Sequence, residues 1–112
     1  MDKLEKYRNI IENILTEHAN QPYSYGEIRS QTVFDRNRDQ YLLVDIGWNN
    51  KNFRVHGALV HIEIIDGKFW IQYDGIEDSV TAELELAGVP KSDIVLAFHE
   101  PELRKYTEYA VT

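Results

Sequence analysis

The chain has 112 residues, 43% of them hydrophobic and 28% charged, which supports one folded domain over residues 1–112 and argues against disorder. Cysteine is absent and no apolar run reaches the length of a membrane span, so we expect a soluble cytoplasmic protein without disulfides, thiolate metal sites or membrane association. The net charge is −7, and residues 74–112 hold nine acidic and three basic residues, which disfavours DNA binding by this chain alone.

The first predicted element is an amphipathic helix that begins after Asp2. Asp2 and Glu5 have the D-x-x-E spacing that caps a helix N-terminus. The side chains that recur every three or four residues and form one stripe are Leu4, Tyr7, Ile11, Ile14, Leu15 and His18. Asn20 and Pro22 are expected to end the helix, and residues 21–30 are interpreted as a connection that contains two tyrosines.

Four strands are predicted next, because the period of the apolar residues changes to two from Gln31 onward. The first two strands are separated by a turn at residues 37–38. The side chains expected on their core side are Val33, Leu42, Val44 and Ile46.

The turn into the third strand is predicted at Asn49-Asn50, since asparagine tolerates the positive φ of a tight hairpin. A two-residue loop there pairs Asp45 with Arg54. On the core side, the same count gives the pairs Ile46–Phe53 and Val44–Val55. The third strand changes phase at Gly57-Ala58, and one extra residue at that point predicts a β-bulge.

Asp66-Gly67 is the strongest hairpin signal in the chain and predicts a two-residue loop that pairs Ile65 with Lys68. Counting outward from that loop gives the core-side pairs Ile64–Phe69, Ile62–Ile71 and Val60–Tyr73. On the other side it gives the pairs Glu63–Trp70 and His61–Gln72. The four strands therefore form an antiparallel meander with one apolar face and one mixed face.

Three further elements are predicted beyond the meander. The residues 74–77 (DGIE) repeat the capping pattern and start a second helix, which Gly88 and Pro90 end. The residues 93–98 (DIVLAF) have the length and apolar character of a strand, and Pro101 suits the first turn of a short helix near residues 102–106. The fold class is therefore α+β: an N-terminal helix, a four-stranded antiparallel meander, a helix, a further strand and a short C-terminal helix.

The residues that we expect at an interaction surface lie on the mixed face of the sheet and near the C-terminus. They combine charged, imidazole and aromatic side chains, and aromatic rings with polar tips are favoured at interfaces. The candidates are Asp45, Arg54, His56, His61, Glu63, Trp70, Gln72, Tyr106 and Tyr109. A small core completed by aromatic residues explains the tyrosines equally well.

No pattern in the sequence predicts catalysis or a cofactor. The glycines form neither a GxGxxG nor a Walker A motif, and no G-x-S-x-G nucleophile elbow occurs. His56, His61 and Glu63 share the mixed face and would serve a small metal-dependent enzyme, which is the least favoured alternative. We expect no catalytic, cofactor-binding or metal-ligating residues.

Four segments resemble the XisI-like family, the fdxN element excision controlling factors of cyanobacteria. They are MDKLEKYRNIIENIL at the N-terminus, YLLVDIGW at residues 41–48, KFWIQYDGIED at residues 68–78 and AGVPKSDIVLAFHEPELRKYTEYAV at residues 87–111. The resemblance covers nearly the whole chain, and the family implies an XisI-like fold. The sequence departs from the family pattern at Ile76, where threonine is usual, and at Tyr109, where phenylalanine is frequent.

The resemblance implies an accessory role in programmed DNA rearrangement, together with a companion excision-controlling protein of nuclease-like fold. A site-specific recombinase carries out the strand chemistry and is a second candidate partner, and the family supplies no catalytic residue to transfer. We therefore expect a non-enzymatic factor that binds the companion; the alternative is a direct DNA-binding recombination directionality factor. A homodimer is also expected, since the sheet has edges and a mixed face to cover.

Overall fold

The computed structural model describes residues 2–21 and 26–112. Its elements in chain order are α1 (Lys3–Ala19), β1 (Glu27–Asp35), β2 (Gln40–Trp48), β3 (Arg54–Ile65), β4 (Lys68–Asp74), α2 (Val80–Leu86), a 3-10 turn (Lys91–Asp93), β5 (Ile94–Leu96) and α3 (Pro101–Arg104). The five strands form one sheet in the order β1-β2-β3-β4-β5. Neighbours are antiparallel, except that β5 runs parallel to β4. The predicted α+β fold class is confirmed.

Helix α1 forms as its capping pattern and apolar stripe predict. The carboxylate of Asp2 accepts a hydrogen bond from the Glu5 N–H at 2.8 Å and so satisfies one of the unpaired donors at the helix start. Tyr7, Ile11 and Leu15 are buried against one face of the sheet. The helix ends at a cap on Asn20, whereas the predicted role of Pro22 lies outside the described residues.

The phase of β2 differs from the prediction. Tyr41 and Leu43 are fully buried under α1, and the predicted core residues Leu42, Val44 and Ile46 are half-buried on the other face. The segment YLLVDIGW has apolar residues at both odd and even positions, so alternation alone does not choose the buried face. The predicted core position of these three residues, and of Val33 on β1, is therefore wrong.

The loop between β2 and β3 has five residues instead of the predicted two. The Asn49 side-chain oxygen accepts hydrogen bonds from the backbone N–H groups of Lys51 and Phe53, at 2.9 and 3.1 Å. The side-chain amide of Asn49 thus stabilises residues 49–53 as a wider loop. The residue with positive φ in this loop is Asn52, at 63°, rather than Asn49 or Asn50. Trp48 consequently pairs with Arg54, and the predicted pairing of residues 44, 45 and 46 with 55, 54 and 53 is wrong.

Two bulges adjust the register of β3 to its neighbours. The pairing between β2 and β3 shifts after Leu43, which leaves Leu59 as the extra residue of β3, one position beyond the predicted Gly57-Ala58 bulge. The hairpin at residues 66–67 has the predicted two-residue loop, and its four inner pairs are confirmed. The predicted outer pairs fail because Gln72 is an extra residue of β4, so that His61 pairs with Tyr73.

The bounds of several other elements also differ from the prediction. Strand β1 begins at Glu27, inside the segment that was interpreted as a connection. Helix α2 begins at Val80 rather than after Asp74, because its N-cap is Ser79, whose hydroxyl accepts the Thr81 N–H at 3.2 Å; Asp74 adds a bond by accepting the Val80 N–H at 3.0 Å. Gly88 follows the cap of α2 with φ of 97°, as predicted for a residue that leaves a helix in the left-handed conformation. Strand β5 spans only Ile94–Leu96 of the predicted residues 93–98. The C-terminal helix has Pro101 in its first turn, as predicted, but ends at Arg104 rather than near residue 106.

The C-terminal segment covers the β5 end of the sheet. The N–H of Ala110 donates to the carbonyl of Ile94 at 2.9 Å, and Ala110 forms a parallel bridge with Val95 on the outer side of β5. Val95 is fully buried although it pairs with Trp70 on the face opposite α1. The β5 end is therefore closed by the chain itself.

Candidate interaction surface

The face of the sheet opposite α1 carries an apolar strip over β1 and β2, which we call the open-face strip. Its members are Val33, Leu42, Val44, Ile46 and Trp48. Val33 and Trp48 expose 47% and 48% of their surface, and the other three are half-buried. Exposed apolar surface of this kind, bordered by polar groups, marks a site for another macromolecule more often than an active site.

Four polar side chains form a connected group beside the open-face strip, which we call the polar network. Gln40 donates its amide N–H to Glu63 at 2.6 Å, and its carbonyl accepts from the His61 Nε2 at 2.8 Å. Gln72 donates to the second oxygen of Glu63 at 2.7 Å. These four side chains satisfy one another's hydrogen-bonding groups, so their positions on the surface are fixed. Gln40 was missed because it reaches this group only through the observed pairing of β2 with β3.

Two cationic side chains flank the Trp48 end of the strip. The guanidinium of Arg54 lies 5.3 Å from the centroid of the Trp48 ring, within the range of a cation–π interaction. Arg29 lies on the neighbouring strand opposite Ile46, which in turn pairs with His56. Arg29, Ile46, Trp48 and Arg54 line a shallow depression of about 460 Å³, together with the acidic Glu27. Two arginines and one glutamate therefore lie at the Trp48 end of the strip.

The remaining candidates have different surroundings. Asp45 faces the α1 side and accepts a hydrogen bond from Ser30 at 2.6 Å. Trp70 lies under the guanidinium of Arg104, 5.5 Å from its ring centroid. Tyr106 exposes 78% of its surface at the end of α3. The structure therefore brings Arg54, His56, His61, Glu63, Trp70 and Gln72 onto one face and places Asp45 on the other.

Tyr109 packs partly against the core, and its hydroxyl donates to Glu85 at 3.0 Å. Burial and this hydrogen bond raise the pKa of the Tyr109 hydroxyl. Lys91 lies 5.8 Å from the Tyr109 ring centroid and forms an ion pair with Glu108 at 2.6 Å. The hydrogen bond from Tyr109 to Glu85 therefore connects the C-terminal segment to α2.

The imidazoles do not converge. His61 is bound to Gln40, whereas His56 lies on the far side of the β3 bulge, opposite Ile46. Over residues 2–21 and 26–112, no three His, Asp or Glu side chains are arranged to hold a metal ion. Within that part of the chain, His56, His61 and Glu63 therefore do not form the metal-ligand cluster that the least favoured alternative requires.

The family relationship follows from comparison of the sequence with known proteins. The sequence pattern of the XisI protein family matches residues 1–111. The chain belongs to the XisI family. The resemblance of its four segments to this family is thereby confirmed.

Two crystal structures of XisI-family proteins from Anabaena variabilis have the same fold. An XisI-like protein is 33% identical, with a TM-score of 0.87 over 97% of this chain and 99% of that chain. The fdxN element excision controlling factor XisI is 35% identical, with a TM-score of 0.78 over 99% of this chain and 100% of that chain. No curated protein matches the chain.

The XisI-like segment at residues 87–111 has a structural role in this chain through Asp93. Asp93 accepts a hydrogen bond from the Tyr7 hydroxyl at 2.5 Å and pairs with Lys3 at 2.8 Å. Burial acts to raise the pKa of the Asp93 carboxyl, but the bonds from Lys3 and Tyr7 lower it overall. The segment therefore joins the C-terminal third of this XisI-family protein to α1. This contact lies on the α1 side of the sheet and does not involve the open face.

Proposed function

We propose that this chain is a non-enzymatic accessory factor that controls the excision of a DNA element by binding a companion excision-controlling protein. Membership of the XisI family supports a role in excision control, since one relative is an fdxN element excision controlling factor. The observation that carries the binding mechanism is the open-face strip, an apolar surface on the sheet face opposite α1. A site-specific recombinase is a second candidate partner, which would contact the complex of this chain with the companion.

The open-face strip has the composition of a protein-binding site. Val44 and Leu42 are half-buried at its centre, and the polar network borders one side. Burying apolar surface contributes roughly 25 cal/mol per Å², whereas the internally bonded network limits the cost of removing its polar groups from water. The arginines near Trp48 would steer an acidic surface of the companion toward the strip.

Direct DNA binding is a weaker alternative. Arg29 and Arg54 lie near Trp48 on the open face, which is the observation in its favour. The net charge of −7 opposes it, because binding to the phosphate backbone depends on neutralising many phosphates with a basic surface. A mobility shift of duplex DNA by this chain alone at low salt would favour the alternative.

Replacing Val44 with lysine is expected to weaken binding of the companion. The variant Val44→Lys places a charge at the centre of the open-face strip, where a partner would have to bury it, so we expect at least about tenfold weaker binding. Co-expression with a companion excision-controlling protein, followed by pull-down and calorimetric titration, measures the change in affinity.

Leu86→Lys is the matched control. Leu86 exposes 88% of its surface on α2, away from the open face, so the same type of substitution there should leave binding unchanged. Thermal melts verify that both variants fold. Equal capture of Val44→Lys and the unchanged chain would contradict the proposed surface, and absence of a complex at micromolar concentration would contradict the proposed function.

A further inference from the structure

One edge of the sheet is closed by the chain and the other is open. At the β5 end, the bond from Ala110 to Ile94 covers the outer strand. At the opposite end, β1 pairs with β2 on one side, and no other described strand lies beside it. Every second residue of an edge strand turns its N–H and C=O groups away from its neighbour, which makes the edge a template for another strand.

Strand β1 lacks several of the features that usually protect an edge, although it carries the charged residues Glu27, Arg29 and Asp35. It has nine residues, contains neither proline nor lysine, and pairs with β2 without a bulge. Val33 lies on it with 47% of its surface exposed, beside Leu42 of the open-face strip. A long, regular edge of this kind associates readily with a second strand.

The charges of β1 complement those of a second β1. Two copies related by a two-fold axis perpendicular to the sheet pair in antiparallel fashion, with matching faces on the same side. When the axis passes through Thr32, residues 29–35 of the two copies pair and Arg29 lies opposite Asp35 of the second copy, at both ends. When it passes through Gln31 instead, Glu27 lies opposite Asp35, and like charges repel.

We infer that β1 is a dimerisation edge, at which two copies of this chain pair antiparallel about Thr32 to form a continuous ten-stranded sheet. The open-face strips of the two copies then adjoin across the axis, since Val33 of one copy lies opposite Gln31 of the other. A seven-residue strand pair is a small interface, so we expect a dissociation constant in the micromolar range. This inference does not depend on the proposed function, because it concerns the chain alone.

Disulfide cross-linking tests the register, because the chain contains no cysteine. In Thr32→Cys the two sulfurs of a dimer face each other across the axis, at a separation that a disulfide spans. In the control Ser30→Cys, the corresponding residues are about 13 Å apart along the strands. We expect oxidation to convert most of Thr32→Cys, and little of Ser30→Cys, to a covalent dimer on a non-reducing gel.

Charge reversal tests the same edge without a cross-link. Arg29→Asp places an acid opposite Asp35 of the second copy, so we expect at least about tenfold weaker dimerisation by sedimentation equilibrium. Arg54→Asp makes the same charge change on β3, inside the sheet, and should leave dimerisation nearly unchanged.

Either of two outcomes overturns the inference. The first is a chain that stays monomeric at the highest concentration reached, which would leave the edge to a strand of another protein. The second is a dimer that Arg29→Asp and Arg54→Asp weaken equally, or that Ser30→Cys cross-links as well as Thr32→Cys. Circular dichroism and thermal melts of each variant verify that the fold is retained. Capture of the companion by a monomeric chain would leave the proposed function in place.

Discussion

Asp39 shows how one side chain stabilises the start of β2. Arg8 of α1 donates to both of its oxygens, at 2.8 and 3.1 Å, and the Tyr41 hydroxyl donates at 3.0 Å. The hydrogen bond from Arg8 is the main cause of a lowered pKa of the Asp39 carboxyl, against the opposing effect of burial. The residue also takes a positive φ of 52°, which asparagine adopts as readily as aspartate.

Asp39→Asn is expected to reduce the free energy of unfolding by about 1–2 kcal/mol at neutral pH, because an amide replaces an ionised carboxylate that accepts three hydrogen bonds. A carboxyl whose pKa is lower in the folded state adds stability above its unfolded value of about 3.9, and this stability is lost as pH falls further. The difference between the two chains should therefore shrink below about pH 4. Urea unfolding of both chains between pH 3 and 7 measures this difference in the free energy of unfolding.

The control for this prediction is Asp66→Asn. Asp66 has nearly the same positive φ, 51°, but it is exposed in the β3–β4 turn and forms no ion pair with the described residues. Its substitution should change the free energy of unfolding by less than about 0.5 kcal/mol. A pH-independent difference for Asp39→Asn would show that the ion pair contributes nothing.

At the scale of the elements, the pairing of β1 with β2 depends on Gly47. Gly47 lies opposite Ile28 with φ of 150°, and a Cβ added there would lie 1.9 Å from the carbonyl oxygen of Glu27. The two backbones approach so closely that only glycine fits. This contact positions Trp48 at the end of β2 and thus one end of the open-face strip.

Gly47→Ala is therefore expected to lower the free energy of unfolding by about 2–4 kcal/mol, since the backbone of β1 must move away. Gly57→Ala is the matched control, because a Cβ at Gly57 on β3 meets no atom within 4 Å. Alanine there should be neutral or slightly stabilising. Thermal denaturation compares the two, and equal melting temperatures would contradict the close approach described here.

At the scale of the whole molecule, the contact of Tyr7 with Asp93 joins parts of the chain that are 86 residues apart. The Tyr7 ring also stacks on Phe69, with centroids 4.8 Å apart. Helix α1, strand β4 and the segment before β5 therefore meet at one residue. Burial and the hydrogen bond to Asp93 both raise the pKa of the Tyr7 hydroxyl, so it donates throughout the neutral range.

Tyr7→Phe is expected to reduce the free energy of unfolding by about 1–2 kcal/mol, because it keeps the ring and removes only the bond to Asp93. Tyr106→Phe, at a residue with 78% of its surface exposed, should have no measurable effect. Chemical denaturation, monitored by tryptophan fluorescence and by circular dichroism, measures the free energy of unfolding of both variants. An unchanged free energy of unfolding in Tyr7→Phe would contradict a stabilising role for the hydrogen bond to Asp93.

The sequence alone determined the elements whose signals are local. Asp2 and the stripe that follows it predict α1, Asp66-Gly67 predicts the β3–β4 hairpin, and Gly88 predicts the end of α2. Each signal depends on residues a few positions apart, so short-range sterics and hydrogen bonding are sufficient. The four quoted segments also identified the family.

Only the tertiary structure decided which face of β2 is buried, and with it the candidate surface. Leu42 and Leu43 are equally apolar, and a shift of one residue exchanges the two faces of a strand. The choice came from the five-residue loop held by Asn49 and from the packing of α1 on Tyr41 and Leu43. These contacts join residues distant in sequence, so no local pattern records them.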